Sequence, residues 1–310
     1  VDKILEQGAA TIIAINVFNQ GEHFDEVQGE KYVVQDGTVQ ITNQIISTES
    51  VSVQDEDENT TFQKGVDYAV NAYGTIKVLN HTLIPDLSTV SVSYSFHELD
   101  MVSNGDIIGE MNEDRELSGL QAFALSFTMY GFSPKIFIAP VFCETNDIAT
   151  ALISTANQFR GRALIDAPAH TTVAGCVTGR GPLGEINFNT SSKRAVLCFP
   201  AFGVPAPWLE PFGAVDYENF GLSTLLAGVW TKTINNEGYW VSPSNKEMAG
   251  VLKPEVIVTS AINDASTDAN FLNENGIVTY FTSFGTGYRT WGNRSAAWPT
   301  DTAVDNFLPV

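Results

Sequence analysis

The chain has 310 residues, 44% of them apolar and 11% aromatic, enough material for a sizeable core and for two domains. Its 36 acidic against 16 basic side chains give a formal charge of −20 at pH 7, which excludes a nucleic-acid partner, because phosphate backbones are held mainly by Lys and Arg. No run approaches the roughly 18 apolar residues that a membrane helix requires, so no membrane partner is expected either.

The opening "VDKILEQGAATIIAINVF" predicts the last turns of a helix, a stop at Gly8, and then a buried strand of β-branched residues. From about Gly21 to Leu99 the text turns strand-like, with "VQITNQIIS", "YAVNAYGTIKVL" and "STVSVSYSF" separated by polar or glycine-containing turns. Alternation puts Val90, Val92, Tyr94 and Phe96 on one face and small hydroxyls on the other, as in an antiparallel β-domain of five or six strands. From Asp106 an α/β rhythm sets in. "SGLQAFALSFTMYG" and "TNDIATALISTANQF" read as helices, "KIFIAP" and "RALIDAP" as strands, and "HTTVAGCVT" as a further helix. "RAVLCFP" and "GIVTYFTS" add strands; "STLLAGVW" and "STDANFLNENG" add short helices with Ser223 and Ser266 as expected N-caps. The stretch from Gly181 to Gly221, rich in Pro, Gly and Phe, is longer than an ordinary connection and is expected to offer an interaction surface. The fold class expected is α/β, with a β-domain (23–98) inserted into a discontinuous α/β domain (1–22 and 99–310).

Several motifs invite a chemical reading and fail it. "GRGPLG" (179–184) matches a dinucleotide fingerprint, but a helical stretch precedes it and none follows to aim a dipole at phosphate. "DEDENTTFQKGV" spaces Asp55, Asp57 and Asn59 like the start of a calcium loop, yet Thr60 stands where the sharp turn needs glycine and Val66 where a Glu should close the site. His170 has Asp166 one turn upstream and Cys176 six residues on, without any nucleophile-elbow motif; a capped turn is the simpler reading. Cys143, Cys176 and Cys198 form no CxxC pair, and Cys198 lies among strand-formers as a small hydrophobe. No catalytic, cofactor-binding or metal site is assigned. Starting at Val1 without a methionine and ending in "DNFLPV", the chain reads as a piece of a longer protein.

Three stretches stand out, in fixed order near the end: "GYWVSPSNKEMAGV" (238–251), "DANFLNENGIVTYF" (268–281) and "GYRTWGNRS" (287–295). Together they resemble the tail sheath protein of contractile-tailed bacteriophages and related contractile particles, which carry Gly-x-Trp-x-Ser-Pro-Ser-Asn-Lys, Leu-Asn-Glu-x-Gly-Ile and Trp-Gly-Asn-Arg segments in this order. Weaker agreement extends through "DIIGEMNEDRELSGLQAF", "SPKIFIAPVF" and the opening helix with its Gln-Gly turn. The resemblance implies a subtilisin-like α/β core without protease activity, a protruding β-barrel-like insert, and a structural subunit of the virion tail, assembled in the host cytoplasm. Its implied partners are other sheath subunits and the tail tube protein. It also implies an N-terminal segment and a C-terminal domain outside this chain, so the chain by itself is expected to stay monomeric. Departures lie before "STLLAGVW", which lacks the family's paired prolines, and across 181–221. The competing readings are a subtilisin-like hydrolase and an adhesion module using the β-insert. Against both, Tyr288, Trp291, Gly292, Arg289 and Arg294 are read as a packed corner, and Ser242 to Glu247 as a second rigid joint.

Overall fold

The computed structural model describes all residues except 9–10, 20–21, 44, 182–183, 185, 206–216, 262–263, 283–284, 286 and 304–310. It is a mixed α/β structure of two compact units, one holding Val17–Ser103 and the other Val1–Asn16, Asn104–Pro205 and Tyr217–Val310.

In the first unit, β1 (Phe24–Val33) runs antiparallel to β6 (Thr89–His97), which pairs on its other side with β3 (Ser52–Asp55). A second sheet places β5 (Thr75–Val78) between β2 (Thr38–Gln40) and β4 (Tyr68–Val70). Val90, Val92, Tyr94 and Phe96 are all buried, as the alternation requires, in a core with Val39, Ile41, Val53, Tyr68 and Ile76. Ser91, on the other face, is buried as well, its hydroxyl donating to Glu58 at 2.9 Å. A bulge between Val27 and Glu30 bends β1, and there the Gly29 N–H donates to the Ser93 hydroxyl at 3.0 Å. Asp55 belongs to a turn: its Oδ1 accepts from the N–H groups of Asn59 and Thr60 at 2.7 and 3.0 Å.

The second unit begins with α1 (Asp2–Glu6) and, after α2 (Asn104–Ile108), is organised around a five-stranded sheet. Its order is β14 (Tyr288–Trp291), β13 (Ile277–Thr282), β9 (Ala195–Cys198), β8 (Arg162–Asp166), β7 (Ile136–Phe137). The last four are mutually parallel, and β14 returns antiparallel to β13. Helix α4 (Asn146–Gln158) connects β7 to β8, and α5 (Val173–Thr178) lies between β8 and β9. Helix α6 (Leu222–Glu237) is buried at every position from Leu222 to Trp230, as an apolar run on all sides of a helix demands. A smaller sheet sets β10 (Phe202–Pro205) between β11 (Tyr217–Phe220) and β12 (Lys253–Pro254). Helix α7 (Asp268–Glu274) leads into β13.

Several expectations need correction. Residues 11–19 form no strand: Thr11, Ile12 and Ile13 line a groove beside β7 instead of joining a ladder, because β-branched residues suit any half-buried surface and do not require a pairing partner. The stretch 119–130 opens as a 3-10 turn (Gly119–Leu125) and only then becomes α3 (Ser126–Tyr130), closed by Gly131 at φ +78°. The helix expected from "STLLAGVW" alone extends to Glu237. Its N-cap is Gly221 rather than Ser223, and the N-cap of α7 is Thr267 rather than Ser266, whose N–H and hydroxyl both bond Asp264. Within 181–221, partly outside the described residues, β9 is the strand expected from "RAVLCFP", and the short strands β10 and β11 are additional to it.

Candidate functional site

The three late stretches singled out in the sequence meet in one joint. Strand β14 pairs with β13 on one edge, Thr279 opposite Trp291 and Phe281 opposite Arg289. On its other edge it takes residues 245–248: Asn245 N–H donates to the Thr290 carbonyl at 2.6 Å, Thr290 N–H to Lys246 at 2.9 Å, and Met248 N–H to Tyr288 at 3.0 Å. The Thr290 side chain, fully buried, accepts from Lys246 N–H at 3.2 Å and donates to the Pro243 carbonyl. Arg289 adds a fork to Asn245, Nε to the side-chain oxygen and an Nη to the backbone carbonyl, each at 2.9 Å.

Gly292 ends the strand at φ +121°, a conformation that a side chain disfavours, and its N–H donates to the Ser244 hydroxyl at 3.1 Å. Arg294 reaches the Asn273 carbonyl at 2.8 Å and lies 4.1 Å from the Trp298 ring centroid, whose Nε1–H bonds the Glu274 carbonyl at 3.0 Å. Asn245, Pro243 and Lys246 from the first stretch, Asn273 from the second, and Thr290 and Arg294 from the third therefore hold one another. Tyr288 packs edge-on against Tyr280 and Phe202 at centroid separations of 5.5 and 5.4 Å. The arrangement is a joint whose segments are tied mainly through backbone groups, while Trp291 Nε1, Asn273 Oδ1 and Arg294 Nε are buried in it without a hydrogen-bond partner.

The glycine-rich stretch has a related use. Arg180 sends its guanidinium into a cage of backbone carbonyls, bonding Thr190 at 3.0 Å, Trp298 at 2.6 Å, and also Asn275 and Ala296. Burial holds its pKa below the usual arginine range. A helix, α5, precedes this motif, as expected; Pro182, Leu183 and Glu185 lie outside the described residues.

Among the described residues the most deeply buried carboxylate is Asp166, at the C-terminal end of β8. It accepts from Ser223 N–H at 2.7 Å and from the Ser223 hydroxyl, and so caps the N-terminus of α6 from another element. That explains why Ser223 is not itself the cap. A Cβ at Gly221 would fall 2.2 Å from the carboxylate, so only glycine leaves room. Asn187 Nδ2 donates to the carbonyls of Asp166 and Cys143 at 2.7 and 2.6 Å. Burial pushes the Asp166 pKa up to about 7, opposed by the Ser223 bonds and reinforced by Glu144.

A Ser–His–Asp machine needs the histidine between the other two. Here Asp166 accepts from Ser223 directly, while His170 Nδ1 faces Glu255 at 3.1 Å and its N–H donates to the same carboxylate. His170 sits at φ +62° in the turn after β8, and Cys176 is buried inside α5 with its thiol pKa raised by burial. Cys143, Cys176 and Cys198 are all free and buried. No helix among the described residues is long and apolar enough to cross a membrane.

The model of the phage tail sheath protein central domain matches residues 104–296. The tail sheath protein of Burkholderia phage BcepMu is 35% identical over 317 residues, covering all of this chain and 64% of that protein. A putative prophage major tail sheath protein of Pseudomonas aeruginosa is 30% identical over 189 residues, 61% of this chain and 45% of its own. A helical sheath of the anti-feeding prophage in its contracted state aligns with a TM-score of 0.42 at 21% identity, over 65% of this chain and 46% of that one. The chain spans less than two thirds of the length of the curated relatives it matches.

Proposed function

Since this chain belongs to the phage tail sheath protein family, we propose that it is the central part of a structural subunit that polymerises around a tail tube and contracts to drive that tube through a host envelope. The observation that carries the reading is the joint: three segments, spaced from residue 243 to residue 294, are tied to one another by the Thr290, Ser244 and Arg294 side chains and by backbone hydrogen bonds. A device that moves as a lattice needs bodies that keep their shape while the contacts between them change. A joint of this kind supplies stiffness.

On this reading the partners are other sheath subunits and the tail tube protein, and the place of action is the virion tail after assembly in the host cytoplasm. The 1–22 and 99–310 segments are the core, of subtilisin-like type, and 23–98 is an insert carried on the outer side of the sheath. The core has no catalytic role. A serine-directed phosphonate probe is expected to leave Ser223 unmodified, and stoichiometric labelling there would favour the hydrolase instead. Binding of isolated residues 23–98 to bacterial surfaces would favour the adhesion reading. The main experiment is electron microscopy of the protein at its natural length: tubular polymers are expected, and a monomer under every condition would overturn the assignment.

A further inference from the structure

The stretch 117–143 is unlike the rest of the chain. In a protein of net charge −20 it carries a single charged side chain, Lys135, whose ammonium is turned to the Phe159 carbonyl at 2.6 Å. It buries Leu120, Phe123 and Ser126 inward, yet leaves Phe127 65%, Met129 63% and Tyr130 55% exposed, with Leu125 and Phe132 exposed beside them. A five-residue helix such as α3 covers little of its own apolar surface, and only the small hydroxyl of Thr128 stands between Phe127 and Met129 on the exposed side. The exposed face continues at Phe132 into the groove beside β7, about 440 Å³, lined by Ile12, Ile13, Phe123, Ile136 and Ile138, with Lys135 the one charged residue in its wall. Large apolar side chains exposed together beside an apolar groove mark a surface that meets another macromolecule.

We infer that the face built by Leu125, Phe127, Met129, Tyr130 and Phe132, with the groove beside it, is a docking surface for a second copy of this chain. Charge selects the occupant. Two copies of a strongly acidic chain repel each other wherever carboxylates face carboxylates, and residues 117–143 form a face where they can touch without bringing like charges together. A basic partner would seek the acidic surface instead, and an anionic membrane or nucleic acid finds no cationic cluster here. In a helical array the two halves of a repeated contact are different surfaces, so this face is one half of a head-to-tail contact. The inference rests on the sheath reading and names one of its subunit contacts.

The test uses the protein at its natural length and two variants. In the first, Phe127→Cys places a thiol on the face; the three cysteines of this chain are buried, and the unsubstituted protein labelled in parallel gives the background. The new thiol is expected to react with maleimide in the dispersed protein and to be protected at least tenfold in polymers. Equal reactivity in both forms overturns the inference, and so does protection already present in the dispersed protein, since the chain would then be covering its own face. In the second, Phe127→Asp with Met129→Asp, with an unchanged melting temperature, is expected to raise the concentration needed for polymerisation at least tenfold. An unaltered threshold overturns the docking surface while leaving the sheath reading intact; absence of wild-type polymers overturns the sheath reading itself.

Discussion

Gln7 closes both ends of its carboxamide on the backbone of Ala249: Nε2 donates to the Ala249 carbonyl at 2.7 Å, and Oε1 accepts from its N–H at 2.7 Å. The side chain is 1% exposed, held against α6 where Gly228 leaves no room for a Cβ, which would lie 2.6 Å from the Ile4 carbonyl. Gln7→Ala strands two backbone groups in the interior and is expected to cost about 2–4 kcal/mol. Urea unfolding measures it, and an unmoved midpoint would show that the pair contributes nothing.

Asp166 makes stability depend on pH. Its folded pKa, about 7, lies above the unfolded carboxylate range, so between roughly pH 4 and pH 7 the folded state holds a proton that the unfolded chain has released. The contribution is complete below that window, falls as pH rises through it, by something on the order of 2–4 kcal/mol, and is flat above it. Asp166→Asn removes the titration, so wild-type stability should decline relative to the variant from pH 4 to pH 7. Parallel melting curves across the window would refute this.

Gly221→Ala probes the same contact by space rather than by charge. The added methyl would meet the Asp166 carboxylate and push it off the start of α6, which predicts a loss of about 2–3 kcal/mol, seen as faster amide exchange at Leu222 and Ser223. Unchanged exchange would mean that the cap is dispensable.

Thr290→Val keeps the shape of the joint but withdraws the hydroxyl that serves Pro243 and Lys246, at an expected cost of about 1–3 kcal/mol, whereas Thr290→Ser should retain most of the stability. Equal destabilisation by the two variants would assign the effect to packing.

Arg180→Lys preserves the charge and loses the fork. An ammonium with three donors cannot reach four carbonyls spread over three separate segments, so calorimetry should show a loss of about 3 kcal/mol, with the exchange of amides near Ala296 accelerated. A melting temperature within a degree of the wild type would contradict the cage.

The parallel strands were readable in advance because a strand buried on both faces writes a continuous apolar run, as "RALID" and "RAVLC" do, and the alternation in "TVSVSYSF" marked a buried face equally well. What could not be read were contacts between distant residues. Ser223 looks like a helix cap in its own neighbourhood, and only the carboxylate 57 residues upstream shows why it serves as a donor instead. Arg180 sits inside a glycine pattern whose local logic concerns phosphate, while its partners lie up to 118 residues away. Resemblance marked the three late stretches, but their mutual hydrogen bonds are a property of the fold. The strand expected between Gly8 and Phe18 failed because residue type reports burial without reporting a neighbour.

The locking of Gln7 to Ala249 bears on the order of events at the ribosome. The six strands between Phe24 and His97 have all their partners among themselves, so that unit can close once its own last strand has emerged. Helix α1, which precedes every other described element, must wait for residue 249, and β9 waits for β13 near residue 277. Helix α1 is therefore among the last of the described elements to dock, and until residue 249 has emerged its apolar residues depend on protection from elsewhere.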